Sequence, residues 1–459
     1  MLDIVLLLFI LALVAMGLRR PFIWVLAYLY IDIVAPQKIG WTILPSLQVS
    51  LIAFLLAFAG VALLDNKKGM RFTARQALLL ALLAWCAFTT SFADFPESAA
   101  TKWAWVWKSM LFALFLPFAL RTRLRLEAAV AVCVLSLGAI VISGGIKTLL
   151  GGGGYGMLVT LTSDNSGIYE GSTLSTVAIA AIPLIWWLAR HGTIFPARTR
   201  PVMLFAAALT LASLLIPIGT QTRTGLLCIA FLGVLLMRTV RHRFAYGALA
   251  AALALVSLPF LPQSYQERMA TISDHRSDQS ASTRVEVWKW TLNYVADNPM
   301  GGGFDSFLGN SFTYETVKQV QEGSVVRTER QEVTDSGRAF HSAYFEVLGE
   351  QGVPGFLLWV LLHATGLVAM ERLRRRGRAS DDPEMQRWGA LANALQQVQL
   401  VYLLGALFVG VTYQPFILMV LGMQISLSTV IANDDRRAGE AERKQRLAAR
   451  RKLARGAPA

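Results

Sequence analysis

One of the five histidines in this chain lies in a context that suits acid–base chemistry. His341 follows a group of aromatic residues just before an apolar segment, and Arg338 precedes it by three positions. A neutral imidazole can accept a proton near pH 7, as a general base must. On a helix, Arg338 and His341 would share one face. His341 is therefore the candidate catalytic base, although a lone His at such a position is more often an interfacial packing residue.

Two further arginines occupy positions that favour contact with an anion. Arg223 lies in a very short turn between two apolar segments, among hydroxyl residues and next to a glycine. Its alternative role is to extend the guanidinium to the lipid headgroups. Arg284 begins a predicted amphipathic helix, where the helix dipole favours acids rather than cations. An external anionic partner and a surface salt bridge with Glu286 are equally good interpretations of Arg284.

Composition and the length of the apolar runs indicate the elements that position these residues. The chain has 459 residues, 55% hydrophobic and only 16% charged, whereas a soluble domain carries about a quarter charged residues. Runs of roughly twenty apolar residues fit membrane-spanning helices, so the sequence predicts an all-α polytopic membrane protein with about 12–13 transmembrane helices. The candidate spans are about 2–18, 21–36, 48–64, 76–92, 103–120, 127–148, 174–190, 201–219, 224–239, 244–261, 353–370, 388–412 and 416–433.

Basic residues cluster in alternate connections, which predicts the orientation of the helices. The clusters lie at 19–20, 67–75, 121–125, 190–200, 238–243, 372–378 and 436–455. The positive-inside rule places them on the cytoplasmic side of the membrane. The net charge of +14 then reflects topology and attraction to anionic membrane lipids. Binding of nucleic acid by the basic tail is disfavoured.

The predicted organisation has four parts, and one of them is a long loop opposite the basic connections. Residues 1–261 form an N-terminal transmembrane bundle, 262–352 a large periplasmic loop with short helices, 353–433 C-terminal transmembrane helices, and 434–459 a basic cytoplasmic tail. Within the loop, residues 282–297 have helical apolar spacing, and Asn298-Pro299 with Gly301 to Gly303 ends that helix. Loops of this length are usually functional, although a periplasmic cap without chemistry is the alternative.

The sequence contains no familiar cofactor motif. Cys86, Cys133 and Cys228 lie within apolar spans at no metal-binding spacing, so they are predicted to be buried packing residues. The cysteines offer neither a disulfide framework nor a zinc site. Neither a phosphate-binding P-loop nor a dinucleotide-binding fingerprint is present in the sequence. We therefore expect no cofactor.

Three motifs in the second half of the chain carry a family resemblance. They are His341-Ser342 followed after nine residues by Gly352-Val353-Pro354-Gly355, the turn Thr222-Arg223-Thr224-Gly225, and Arg284-x3-Trp288 with Asp297-Asn298-Pro299 and Gly301 to Phe304. The first resembles the signature that ends the large periplasmic loop of bacterial O-antigen ligases. The other two resemble the Ser/Thr-Arg-x-Gly turn and the loop helix of the wider O-antigen ligase and polymerase superfamily. The similarity covers roughly residues 200–430.

The resemblance implies an integral-membrane glycosyltransferase that needs no metal ion and inverts the anomeric carbon. Its donor would be a glycan on undecaprenyl diphosphate, and its acceptor a sugar hydroxyl of lipid A–core oligosaccharide, with the active site facing the periplasm. Arg223 and Arg284, supported by Arg338, would neutralise the diphosphate, since a guanidinium binds two phosphate oxygens and stays charged. His341 would orient or deprotonate the acceptor hydroxyl. The aromatic residues expected to stack on sugar rings are Trp288, Trp290 and Tyr344.

Other functions remain open on the sequence alone. An O-antigen or exopolysaccharide polymerase and a protein O-oligosaccharyltransferase would use the same lipid-linked donor. A transporter would need ionisable residues or broken helices near the bilayer midplane. Apart from Asp32, Lys147 and His363, the predicted spans hold few charges, so a transporter is the weaker alternative.

Overall fold

The fold is built almost entirely from helices. The structure, a computed structural model, describes residues 2–151, 158–238, 279–322 and 325–455, with a few single positions between 242 and 252. Apolar runs form helices because, without water, each backbone N–H and C=O must be bonded within its own segment. The elements are α1 (Leu2–Arg19), α2 (Phe22–Val34), α3 (Pro36–Ile39), α4 (Val49–Ala59), α5 (Ala74–Thr90), α6 (Pro96–Ala119), α7 (Arg123–Leu149), α8 (Gly171–His191), α9 (Arg200–Gly219), α10 (Arg223–Met237), α11 (Gln279–Asp297), β1 (Ser311–Glu322), β2 (Val325–Ser336), α12 (Ala343–Arg378), α13 (Pro383–Gly405) and α14 (Pro415–Arg455).

The predicted membrane spans coincide with helices wherever the structure describes them. Among the described residues, six helices are long and apolar enough to cross a membrane: α1, α7, α8, α9, α12 and α14. Shorter apolar helices include α2, α5, α10 and α4 with its π-helical continuation. The span predicted at 244–261 lies outside the continuously described ranges. The chain is therefore an all-α polytopic membrane protein, as predicted.

Ion pairs gather the basic connections at one end of the bundle, named the basic end. Asp65, which follows α4, pairs with Arg121 at 2.7 Å and with Arg125 at 2.5 Å. Arg376 of α12 pairs with Asp435 of α14 at 2.6 Å. The alternating charge pattern of the sequence thus corresponds to helices that run back and forth through the bundle. The opposite end, which carries residues 279–342, is named the loop end.

Helix α8 lies inside the bundle and brings its first turn to the loop end. Nearly all of its residues are buried, and it packs against α7, α9, α10 and α13. Small residues allow the close approach: a Cβ placed on Gly405 of α13 would lie 2.4 Å from the side chain of Thr176 in α8. Small residues at helix interfaces are the usual means of tight packing in membranes. The residues at the start of α8 are consequently held in a fixed position.

From residue 279 onwards, where the structure describes it, the long loop contains the helix α11, a glycine turn, a short 3-10 helix (Ser306–Gly309) and a β-hairpin. Strands β1 and β2 pair antiparallel, with Ser311 opposite Ser336 and Glu322 opposite Val325. The sequence predicts short helices in this region, so the hairpin is a difference. Residues 311–336 are rich in charged residues and Thr, and they lack the long apolar runs on which the helix predictions rest.

The predicted loop helix exists as α11, but it begins earlier and buries a partly different face. It starts at Gln279, so Arg284 lies in its second turn rather than at its beginning. Val285 and Leu292, which belong to the predicted apolar spacing of residues 282–297, are 44% and 55% exposed. Val295, which belongs to the same predicted face, is buried as expected, and Val287 and Thr291 are buried beside it. The helix therefore rests on α12 with a narrower and more polar face than its apolar spacing indicates.

Helix α12 is broken where it leaves the loop. Gly352 has φ +63° within α12, a left-handed conformation that residues with a Cβ adopt with strain. A Cβ at this position would lie 2.3 Å from the backbone of Met300 and Pro299. The backbone N–H of Val353 donates to the carbonyl of Pro299 at 2.9 Å. Gly352 thus permits the turn after α11 to pack directly against the α12 backbone.

Candidate functional site

A polar cavity at the loop end gathers several of the residues that the sequence singled out. Its volume is about 270 Å³, and Arg284 and His341 both line it. Glu170, at the start of α8, and Glu346, in the first turn of α12, line it as well. The sequence predicts that Arg284 and His341 act together, and the structure brings them to one cavity. Their elements are far apart in sequence, so the fold assembles this site.

His341 is held in an unusual backbone conformation just before α12. Its φ is +49°, in the left-handed region that few residues other than Gly occupy. Hydrogen bonds fix both flanks: Trp288 Nε1 donates to the Phe340 carbonyl at 2.9 Å, and the Ala343 N–H donates to the Ala406 carbonyl at 2.8 Å. Strained backbone that is fixed from both sides is typical of functional positions. These bonds hold the backbone on both sides of His341 and so fix the direction of its Cα–Cβ bond.

The electrostatic environment keeps the imidazole of His341 neutral near pH 7. The His341 side chain is exposed, but its partial desolvation by neighbouring atoms, followed by the positive charge of Arg284, lowers its pKa below the usual value. The carboxylate of Glu170 acts in the opposite direction, and Arg338 lowers the pKa further. A neutral imidazole can accept a proton, and a nearby carboxylate stabilises the imidazolium that results. This combination is suited to a general base.

Arg338 does not share a helix face with His341, which corrects the prediction. Residues 337–342 form no helix, and α12 begins only at Ala343. The guanidinium of Arg338 pairs with Asp335 at 2.9 Å, and its side chain is 52% exposed. Asn310 bonds both the N–H and the carbonyl of Arg338. Arg338 acts on His341 through its charge, since it is not among the described residues that line the cavity.

Arg223 lies at the start of α10, close to the first turns of α8. The Thr222 hydroxyl donates to Ser175 Oγ at 2.8 Å, and the Ser175 and Thr220 hydroxyls are 2.9 Å apart. These buried hydroxyls fix the turn before α10 against α8, whose first residues line the cavity. Arg223 is half-buried and is not among the described lining residues. The structure thus places it at the loop end, next to an element of the site.

Comparison with known proteins gives a family match for the part of the chain that contains Arg223, Arg284 and His341. Residues 207–360 match a protein family described as O-antigen ligase. This matched segment, residues 207–360, is named the O-antigen ligase region. Residues 1–193 match a family of unknown function (DUF5935). No curated protein matches the chain significantly. The match supports a ligase-type or polymerase-type function in O-antigen pathways and, in general, a lipid-linked glycan and a lipid acceptor as substrates.

The three aromatic residues predicted to stack on sugars have contacts within the protein. Trp288 stacks on Phe345 with ring centroids 4.8 Å apart, and Trp290 stacks on Tyr294 at the same distance. The Tyr344 hydroxyl donates to the Leu403 carbonyl at 3.1 Å. None of the three is among the described residues that line the cavity. The aromatic residues that do line it are Phe307, Phe340 and Phe408.

Glu170 was not predicted, and it lies outside the O-antigen ligase region, in the part that matches the second family. Its carboxylate caps α8 by accepting from the N–H groups of Ser172 at 3.0 Å and Thr173 at 2.6 Å. An acid followed by Gly-Ser-Thr and an apolar run is a helix-start signal in the sequence. That signal predicts a cap, but it carries no information that the cap faces His341.

Lys102 of α6 joins the same two parts of the chain through a buried ion cluster. Its Nζ lies 2.8 Å from Glu346 and 2.6 Å from Glu350, both in α12, and 3.4 Å from Asp305. The Glu350 side chain is fully buried, and that of Lys102 is 12% exposed. Glu346 also lines the cavity. The cluster therefore fixes one wall of the site from a helix outside the O-antigen ligase region.

The glycine turn of the O-antigen ligase region packs on the turn between α5 and α6. The Asp94 N–H donates to the Gly302 carbonyl at 2.8 Å, and Tyr294 donates to the Asp94 carboxylate. A Cβ on Gly303, whose φ is +74°, would lie 2.5 Å from the Cβ of Ala93. This third glycine is required because the two turns meet without room for a side chain.

Proposed function

We propose that this protein is an O-antigen ligase of the bacterial inner membrane with its site facing the periplasm. It would transfer a glycan from undecaprenyl diphosphate to a sugar hydroxyl of lipid A–core oligosaccharide, with inversion and without a metal ion. The observation that carries the proposal is the cavity in which Arg284 faces the same space as His341 and Glu170. The match of residues 207–360 to the O-antigen ligase family supports it.

The proposed reaction distributes its charges over the residues of this cavity. The acceptor oxygen forms a bond to the anomeric carbon while the bond from that carbon to the diphosphate oxygen breaks. The hydroxyl proton passes to the imidazole of His341, and Glu170 stabilises the cation that forms. The diphosphate leaves as an anion, which Arg284 neutralises and which Arg223 approaches from the start of α10. A diphosphate is weakly basic, so charge neutralisation replaces a general acid.

The same geometry leaves polymerase activity and glycosylation of a protein as alternatives. Both use the same lipid-linked donor and the same proton transfer, and they differ only in the hydroxyl that attacks. The acceptor is therefore the decisive variable. Supplying a pilin-like protein in place of lipid A–core, under otherwise identical conditions, separates a protein glycosyltransferase from a ligase.

The test is reconstitution with purified protein, undecaprenyl-diphosphate glycan and lipid A–core in EDTA. Extended lipopolysaccharide should appear, and His341→Ala should reduce its rate by about 10²–10⁴-fold while the protein stays folded. Turnover at the normal rate by this variant would exclude His341 as the base. A requirement for divalent metal would contradict the role given to the arginines.

Arg284 and Arg338 provide a matched pair of arginines for the anion-binding role. Replacement of Arg284 by Gln should slow transfer about 10–100-fold, because a charge-assisted bond to the leaving group is lost. Arg338→Gln removes an exposed guanidinium that pairs with Asp335, so the rate should change only a few-fold. Equal losses of transfer rate in the two variants would show that lining the cavity does not decide the contribution of an arginine.

A further inference from the structure

A second cavity lies in the half of the bundle nearer the basic end, away from the proposed active site. It is an open cavity with a volume of about 540 Å³, and it is lined by α8, α9, α10 and α13. The part nearer the bilayer midplane is mainly apolar, with Ile182, Leu214 and Ile229, and its polar members are Thr210 and Gln397. Polar and cationic groups lie only on part of its lining. A lining with separate apolar and polar parts suits a lipid better than a sugar.

The length of the cavity matches one leaflet of a bilayer. Along α8 its lining runs from Ile182 to His191, nine steps of helix that rise roughly 14 Å. The hydrocarbon core of a bilayer is about 30 Å thick, so one leaflet contributes about 15 Å. The cavity thus extends from the region of the midplane to the level of the headgroups on the basic side.

The headgroup level of the cavity carries one cation. Arg190 supplies the charge and His191 an imidazole that can donate a hydrogen bond; both are the last residues of α8 and line the cavity there. The Arg190 guanidinium lies 4.9 Å from the centre of the Trp186 ring, and the Arg190 carbonyl accepts from Arg198 Nε at 3.4 Å. The described lining residues contributed by α9, α10 and α13 include no acid. An anion at this level would meet attraction and no opposing carboxylate from the described walls.

We propose that this cavity binds an anionic phospholipid from the leaflet on the basic side. One acyl chain lies among α8, α9, α10 and α13, and the phosphate contacts Arg190 and His191 beside Trp186. Tryptophan and arginine at the interface are the usual anchors of membrane proteins, and basic pockets between membrane helices bind anionic headgroups. The site is separate from the proposed glycosyl transfer and stands whether or not that reaction is correct.

Lipid retention measured by native mass spectrometry tests the proposal. The full-length protein is equilibrated with vesicles of equal parts phosphatidylglycerol and phosphatidylcholine and then extracted in mild detergent. We expect one retained phosphatidylglycerol in preference to phosphatidylcholine. Arg190→Gln should lower this preference about fivefold, whereas Arg190→Lys, which keeps the charge, should retain most of it. Arg436→Gln, at an exposed position in α14, is the control for general surface charge.

A second variant tests the acyl-chain part of the site without altering any charge. Gly233 of α10 lines the cavity, and a Cβ placed on it meets nothing within 4 Å. Gly233→Leu should therefore fill the cavity and displace the lipid while the helix persists. Equal retention of both lipids, or a retained phosphatidylglycerol that neither Arg190→Gln nor Gly233→Leu affects, would overturn the proposal. Loss caused equally by Arg436→Gln would reduce it to nonspecific surface attraction, which also overturns it.

Discussion

Replacing Lys102 with Met removes the cation that lies between Asp305, Glu346 and Glu350. The bonded oxygens of Glu346 and Glu350 both lie within 2.8 Å of Lys102 Nζ. They are thus at most about 5.6 Å apart, and with an effective dielectric constant of about 20 their repulsion is about 3 kcal/mol or more. Loss of one partner from a buried ion pair costs about 3–5 kcal/mol. We expect Lys102→Met to lower the free energy of unfolding by about 3 kcal/mol.

The exposed pair Lys289–Glu286 is the matched control. Its nitrogen and oxygen are also 2.8 Å apart, but the Lys289 side chain is 63% exposed. Lys289→Met should change the free energy of unfolding by no more than about 0.5 kcal/mol. Both variants are measured by unfolding in mixed SDS micelles, followed by tryptophan fluorescence. Similar losses in the two variants would refute the reasoning that burial, rather than distance, decides the contribution of the ion pair.

Three further perturbations test the geometry of the site. Arg284→Gln removes a positive charge that lowers the pKa of His341. The fall of the transfer rate at acid pH, which lies below the usual His pKa of about 6.5, should therefore move to higher pH. An unchanged pH dependence would contradict the assignment of His341 as the base. Gly352→Ala should destabilise the protein by about 2 kcal/mol or more through left-handed strain and backbone clashes, whereas Gly439→Ala, in open space, should be neutral or stabilising in the same unfolding assay. Trp288→Phe should cost about 0.5–1.5 kcal/mol of stability through a lost hydrogen bond and raise amide exchange around His341, and unchanged exchange would show that the segment is fixed by other contacts.

The helices could be predicted from the sequence because their signal is local. Long apolar runs specify where a helix crosses the membrane. Alternating basic clusters specify which helix ends lie on the same side of it. Asp65 with Arg121 and Arg125 shows that the clusters do meet. Local spacing was less informative in the loop, where Val285 and Leu292 of α11 are exposed. Which face of a short helix is buried depends on what packs against it, and that is a tertiary property.

The site could be predicted only in part, because its residues come from elements distant in sequence. The motifs indicated Arg284 and His341, and the structure brings them to one cavity. The sequence predicts that Arg338 shares a helix face with His341, but the left-handed backbone of His341 ends any such helix. Glu170 has a helix-cap signal, but its relation to His341 arises from the packing of α8 in the bundle. No local pattern encodes such a relation.

The contact between the α5–α6 turn and the glycine turn has a consequence for how such proteins can diversify. Two sequence families divide the chain at about residue 200, yet Lys102 and Glu170 from the first contribute to the site of the second. A first half that lacked these two side chains would leave His341 without its carboxylate and Glu350 without its cation. A working chimera of the two halves would therefore have to keep Asp94, Lys102 and Glu170 as a set.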